Sequence, residues 1–431
     1  AAAAGKNPIG IAVGYNGRNF ALVANEISRN LTVLDLKDRT IAGQAEPLVV
    51  ASTALPVKGS LDDKALRGKR FFKTATGRWS LKGQAWQSCE SCHTDGLTDN
   101  VSWFFGRGLR QSIDLSGAFA SKNGKDQRIL NWTAFRDEFD DFELNTRGVS
   151  GGVGAIVSKV SNPPAVTDRI DIVKLGHGEL NGSAGQAADR TNPAGLAEPG
   201  LLDDWAEITE YSRTLRSPRA PSNLDRYQVE QGKKLFADGK CSGCHGGDKW
   251  TISTVFFTPN VQTMKDLAAK PWTPPAGFPT ALLPASTPGN QLMRFPATNG
   301  ALDQLQCILR PVGTFNVQDG RAGIAELRQD MKTPSQGNET DGKGFNPPSL
   351  LGLQTGAPYL HSGGALSLES LFSPTFTPHH AALQPGFLDI SDPYRDQKVG
   401  WLVQYLLGID EATRTFAIPP PGADGGDFCS L

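Results

Sequence analysis

Histidine and cysteine are scarce in this sequence, at six residues each in 431, and net charge is nearly absent at −1. With 43 basic and 44 acidic side chains in balance, the chain offers no basic field for a nucleic-acid backbone. Long apolar runs are missing too. The longest candidate, residues 399–409, is barely three helical turns, well short of the roughly 20 residues that cross a bilayer. No membrane span is expected.

Four of the six cysteines and two of the six histidines are spent on two copies of one pattern, CESCH at 89–93 and CSGCH at 241–245. Two thiols three positions apart lie on one turn and can bond both vinyl groups of a single porphyrin, while the adjacent imidazole reaches the iron. Cys89, Cys92 and His93, and Cys241, Cys244 and His245, therefore read as the attachment sites of two covalent c-type haems. A zinc site built from both cysteine pairs would use the same residues. A zinc ribbon, however, spaces its pairs by about 15–20 residues, whereas these histidines stand 152 positions apart and each directly follows its pair.

Haem attachment to this motif belongs to the bacterial periplasm or an equivalent outer compartment, so an extracytoplasmic protein with its leader already removed is expected. In an oxidising compartment the two remaining cysteines, Cys307 and Cys429, either form a disulfide or stay as buried thiols. The 48 glycines and 29 prolines, with only 39% apolar residues, predict a loop-rich chain with short helices, part of whose interior is the prosthetic groups themselves.

Along the chain, residues 9–13, 20–24 and 31–36 read as three short strands separated by turn signals at 15–17 and 26–30. This stretch resembles one unit of the YVTN family of β-propeller repeats, and no second copy follows. It is either a blade completed by an upstream propeller or a partner, or a β-meander lying on the haem domain. From Ser60 the pattern turns helical, with Asp62 and Asp63 as N-cap candidates before ALRGKRFF. A similar phrase, QGKKLF at 231–236, precedes the second motif, so the chain holds two cytochrome c-like units. Leu201, Trp205, Ile208 and Leu215 line one face of a further helix, and the Pro- and Ser-containing stretch 215–223 marks a domain boundary. Long surface loops are expected over 258–289 and 333–346. Val399, Leu402, Val403 and Leu406 recur at helical spacing up to Gly408, a closing helix. The expected fold is thus mainly α: a meander over 1–50, haem domains over 51–218 and 219–412, and a tail over 413–431.

The segment 346–371 carries Pro348, Ser349 and Leu350, then Ala357, Pro358 and Tyr359, then His361 and Gly363, with Leu368 and Glu369 after them. Together with the two widely separated motifs, it resembles the C-terminal signature of the bacterial di-haem cytochrome c peroxidase superfamily, which includes a quinone-cofactor maturation enzyme and, more distantly, rubber oxygenases. The resemblance covers roughly residues 60–412. It implies an electron-transfer haem on His245 and a haem on His93 where peroxide or dioxygen binds, because two strong protein ligands make a relay while an open face admits substrate. It also implies a distal ligand for the His245 iron near Thr375, which cannot serve; His379 or His380 follows at once, His379 being preferred. Met293 and Met331 lie outside the matching segment. No histidine stands between His93 and His177, so the His93 haem is expected to have an open distal face, with the glycine-flanked His177 on a loop.

Trp132 falls where the family has a tryptophan relay between haems. A proton carrier for O–O cleavage falls near DEFDDFE, but Phe142 and Gly152 occupy the register of the family's Gln and Glu; Glu143 or Glu138 would substitute, or the run is a solvated face. The backbone carbonyls of Gly356 and Pro358 match positions where relatives hold calcium. Three functions stay open. The first is a peroxidase-like enzyme fed by a small donor protein, a cytochrome c or cupredoxin, or acting on an oxidisable protein. The second is an oxygenase, which an apolar distal pocket of Trp103, Phe104 and Phe105 would favour. The third is a non-catalytic electron-transfer subunit.

Overall fold

The computed structural model describes residues 7–14, 17, 19–37, 40–41, 55–73, 75, 87–105, 108–130, 132, 139, 156–157, 200–201, 203–253 and 345–418. The chain opens with an antiparallel meander of four strands in sequential order: β1 (Pro8–Val13), β2 (Phe20–Asn25), β3 (Asn30–Asp35) and β4 (Thr40–Ile41). Ile11 pairs with Val23 and Val13 with Ala21; Leu22 pairs with Val33 and Ala24 with Leu31. The turn into β3 is held by buried Asn25, whose Nδ2 donates to Asn30 Oδ1 at 2.9 Å and Thr32 Oγ1 at 2.8 Å. The fourth strand is too short to show alternation and escaped the sequence pattern. Glu26, at the same turn, pairs with Lys69 and, at 3.5 Å, with Lys73. That ties the meander to the first helix.

The first helix, α1, runs over Leu61–Phe72. Its cap is Ser60 rather than Asp62 or Asp63: Ser60 is extended, and its Oγ accepts from Asp63 N at 3.2 Å. Asp63 in turn accepts from Gly59 N at 2.7 Å. Both aspartates sit inside the first turn, where their charge suits the positive end of the helix dipole. After the first CxxCH motif come two hairpins, β5 (Ser102–Phe105) with β6 (Gly108–Gln111) and β7 (Phe119–Ala120) with β8 (Asn123–Gln127). A two-residue pair follows, β9 (Ile156–Val157) with β10 (Gly200–Leu201).

Helix α2 covers Asp203–Ser212. The expected apolar face was too long at both ends, since Leu201 belongs to β10 and Leu215 lies past the helix while still packing in its core. A residue just outside a helix can face the same core, and periodicity does not register where the chain bends.

α1 and α2 cross at Gly68. A Cβ there would lie 1.7 Å from the carbonyl oxygen of Glu207, so only glycine permits this approach. Phe71, Phe72, Leu115, Ile208, Tyr211 and Leu215 fill the contact. The second unit repeats the device. α3 (Arg226–Asp238) leads into the short α4 (Ser242–His245) at the second motif, and α3 crosses the last helix at Gly232. A Cβ on Gly232 would lie 2.0 Å from Trp401 O. Between them lie α5 (Leu368–Leu371) and α6 (Thr377–His380); the last helix, α7 (Arg395–Leu407), ends at Gly408 as its periodicity predicts. Phe72 meets Tyr211 edge-on at 5.3 Å, and Phe236 meets Tyr405 edge-on at 5.5 Å.

The expectation of a mainly α chain is therefore corrected. Seven α-helices among the described residues share the fold with small antiparallel sheets. The carbonyl partners of the motif histidines, Ile113 and Pro348, come from loops rather than from these strands, Ile113 lying just past the end of β6.

The two units meet along loops 113–117 and 348–352. A Cβ on Gly117 would lie 2.4 Å from Ser349 Oγ, and one on Gly352, at φ +78, would lie 1.9 Å from Asp114 Oδ2. Gly117 thus sits against Ser349 and Gly352 against Asp114, a reciprocal contact between the two loops. Further ties are Gln111 N to His361 O at 2.7 Å, Asn346 N to Trp132 O at 2.7 Å, and a pairing of buried Lys249 with Asp126.

Candidate functional site: two CxxCH turns and the cleft between them

Both motifs fold as single turns that gather their three side chains. In the first, His93 N bonds Cys89 O at 3.0 Å; in the second, His245 N bonds Cys241 O at 2.9 Å. All four cysteines are free thiols. Burial is the main cause that pushes Cys89 and Cys241 up to about 12 and Cys92 up to about 11, so each keeps its proton. Among the described residues no three His, Cys, Asp or Glu side chains converge as a metal-binding group. The two cysteine pairs therefore do not build the shared zinc site that their sequence permits.

Each motif imidazole is oriented by a backbone carbonyl. His93 Nδ1 lies 2.9 Å from Ile113 O, and His245 Nδ1 lies 3.0 Å from Pro348 O. A carbonyl only accepts, so Nδ1 carries the proton and Nε2 keeps its lone pair for a metal. Burial also lowers the His93 pKa, which favours that neutral form.

The surroundings of the two imidazoles differ. Beside His93 stands the ring of Phe72, with centroids 6.5 Å apart. Facing His245 is His379, with centroids 6.3 Å apart and planes at 69°. Two imidazoles ligating one metal from opposite sides, each with a nitrogen at about 2.0 Å, would place their ring centres about 6 Å apart. The pair fits a haem iron between them. Burial first, then the charges of His245 and His380, push His379 down to about 3, and its Nδ1 is buried without a hydrogen-bond partner. His380, buried at 5% exposure, also lines the cleft, and it lies against the backbone of Leu371 and the ring of Phe372 at 5.9 Å. Thr375 is exposed in the turn before α6.

Cys241, His245 and His379 line a cleft that continues past Trp132, His361 and Arg128 toward the first unit. Trp132 Nε1 donates to Gln111 O at 2.9 Å, two residues before the carbonyl that holds His93. His361, almost fully buried, stacks on Phe345 at 3.8 Å and meets Trp132 edge-on at 6.4 Å. His361 was visible in the sequence only as part of a family signature, and Phe345 carried no signal there.

Gly356 and Pro358 both line the cleft. Trp103 does not supply the apolar pocket that would have favoured an oxygenase: it is 39% exposed, and its Nε1 donates to Asp99 Oδ2 at 2.6 Å. The hairpin β5–β6 turns this indole outward, where its N–H finds a carboxylate. The side chains of Phe104 and Phe105 lie outside the described residues. Glu138, Glu143, His177, Met293, Met331, Cys307 and Cys429 lie outside the described residues.

No family model matches the chain, and no curated protein matches it. Among solved structures, it aligns over 82% of its length with 90% of a chain titled as a MauG-like protein associated with microbial copper homeostasis, at 17% identity and a TM-score of 0.42. It aligns over 82% of its length with 88% of a hydrazine synthase chain from Kuenenia stuttgartiensis, at 17% identity and a TM-score of 0.33. Likenesses of this size carry no functional argument. No helix among the described residues is long and apolar enough to cross a membrane.

Proposed function

We propose that this chain is an extracytoplasmic di-haem c-type oxidoreductase of the cytochrome c peroxidase type, with cytochrome c-like units over residues 51–218 and 219–412. The observation that supports it best is the contrast between His245, faced by His379 at 6.3 Å, and His93, flanked by the ring of Phe72. A haem held by two imidazoles supplies electron relay, and one with an open face supplies reduction or activation of peroxide.

In this reading Cys89, Cys92 and His93 hold the substrate-binding group, and Cys241, Cys244, His245 and His379 hold the relay. Their carbonyl partners, Ile113 and Pro348, fix the ring orientation of each motif histidine and raise its basicity. Trp132 stands between the two sites and is the proposed stepping stone, with its indole N–H anchored on Gln111. Glu138 and Glu143 are the proposed carriers of the proton that the departing oxygen of peroxide requires. Calcium is proposed on the carbonyls of Gly356 and Pro358, both at the cleft wall. A small cytochrome c or cupredoxin is the proposed donor, and an oxidisable protein the alternative electron source.

The test is electron paramagnetic resonance of the oxidised protein, followed by peroxide consumption with a reduced donor. One high-spin and one low-spin haem with stoichiometric peroxide reduction is the expected result. Two low-spin haems would instead make the chain a conduit for electrons. A high-spin haem that ignores peroxide but binds dioxygen after reduction would make it an oxygenase.

A further inference from the structure

Arg128 follows β8 directly and is 1% exposed. Its backbone N donates to Ala118 O at 2.9 Å, and its Nη2 donates to the backbone oxygen of Asp114 at 2.5 Å. The rest of the guanidinium is unmatched: Nε and Nη1 are both buried without a hydrogen-bond partner. No carboxylate among the described residues lies within ion-pair distance of it. Asp114, the acidic neighbour, has Oδ1 occupied by Ser116 N at 2.7 Å and leaves Oδ2 buried without a hydrogen-bond partner. Burial pushes Asp114 up to about 6 although the charge of Arg128 pulls it down, and its carboxylate makes no ion pair with the guanidinium.

A buried cation without an anion is strongly unfavourable. Arg128 and Asp114 line the same cleft as Cys241, Cys244, His245 and His379. A haem bonded at its vinyl edge to the two cysteines and at its iron to the two histidines has only its pair of propionate carboxylates left to satisfy. A planar guanidinium with one Nε–Nη edge open matches a carboxylate bidentately.

We propose that the open edge of Arg128 holds a propionate of the haem carried by His245, so that the first unit supplies an anchoring charge to the cofactor of the second. This rests on the assignment of a haem to Cys241, Cys244 and His245. Arg128 then both closes the cofactor's polar end and clamps the unit interface, since the same guanidinium already holds the Asp114 carbonyl in loop 113–117. Its charge favours the reduced iron, which carries one positive charge fewer than the oxidised form.

The experiment uses the full chain matured with haem, in wild type, Arg128→Gln and Arg128→Lys. Intact-mass spectrometry and peptide mapping first establish a haem on Cys241 and Cys244; if none is attached, the underlying assignment fails and the Arg128 proposal falls with it. Spectroscopic redox titrations from pH 5 to 8 then follow each haem separately. In Arg128→Gln the midpoint of the low-spin His245 haem is expected to fall by about 59 mV, a tenfold shift of the one-electron equilibrium, and to become pH-dependent as the released propionate titrates. The His93 haem is expected to move less.

Arg128→Lys keeps the charge and loses the fork. It is expected to hold most of the midpoint while gaining pH dependence, and it carries the test if the Gln variant does not mature. With both haems attached, a His245-haem midpoint that matches wild type across the pH range overturns the proposal. So does a shift larger in the His93 haem, which would place the propionate on the other cofactor.

Discussion

The two halves of the molecule share a helix-crossing device and differ in what faces the motif histidine. In each, a helix carrying a glycine followed by two cations crosses a later helix at that glycine, a phenylalanine four residues on meets a tyrosine edge-on, and a CxxCH turn points its histidine Nδ1 at a carbonyl. Among the described residues, only the second half brings another imidazole, His379, to face the motif histidine. A four-residue helix, α6, supplies the difference.

The sharpest way to break the comparison is His379→Ala. It is expected to convert the His245 haem wholly from low-spin to high-spin while leaving the His93 signal unchanged, as read by electron paramagnetic resonance. His380→Ala, by contrast, should leave both haems as they are, since His380 turns to the Leu371 backbone. If His380→Ala produces the high-spin species instead, the ligand assignment is reversed.

Adding a methyl group at either crossing tests whether the scaffolds are equivalent. Gly68→Ala and Gly232→Ala each force a Cβ against a backbone carbonyl that cannot swing away. Each should cost about 3 kcal/mol through overpacking, visible as a lower thermal midpoint of the affected half in scanning calorimetry. A tolerated Gly68→Ala beside a damaging Gly232→Ala would show that the first helix pair is free to separate.

Trp132→Phe keeps an aromatic ring at the junction and removes the hydrogen bond to Gln111, worth about 1 kcal/mol. Inter-haem electron transfer after flash reduction of the His245 haem should slow, with both static spectra unchanged. An unaltered rate would leave the stacked pair Phe345 and His361 as the route.

The smallest effect belongs to the meander. Burial raises the Glu26 pKa, but Lys69 and Lys73 outweigh it, and the net shift is downward. A carboxylate depressed in the folded state contributes stability above its unfolded pKa and loses it as pH falls through the folded value. Glu26→Gln should therefore cost at most about 1 kcal/mol near neutrality, and nothing once the wild-type carboxylate is protonated in acid. Hydrogen exchange at the 26–29 turn measures it.

Much of this could be read in the residues. The CxxCH spacing predicts a single turn at each motif, and the structure forms one, with His93 N on Cys89 O and His245 N on Cys241 O. The closing helix stops at Gly408, as its pattern predicts, because its apolar face is continuous and packed. Reading failed where the signal was positional. Leu201 has the right spacing for α2 yet belongs to a strand, and the aspartates beside Ser60 look like caps until the backbone places Ser60 first. Arg128 carries no motif at all; its interest comes from what surrounds it.

Local chemistry along the chain thus defined two CxxCH turns, a recurring helix phrase and the candidate pair His379 and His380. Which of those two neighbours faces His245, the seat of Trp132 beside Gln111, and the burial of an arginine in the cleft that His245 also lines all required the fold. Adjacent residues on one helix turn differ by about 100° in direction, so which of them meets His245 depends on how α6 is seated against the core, and no spacing in the sequence encodes that rotation.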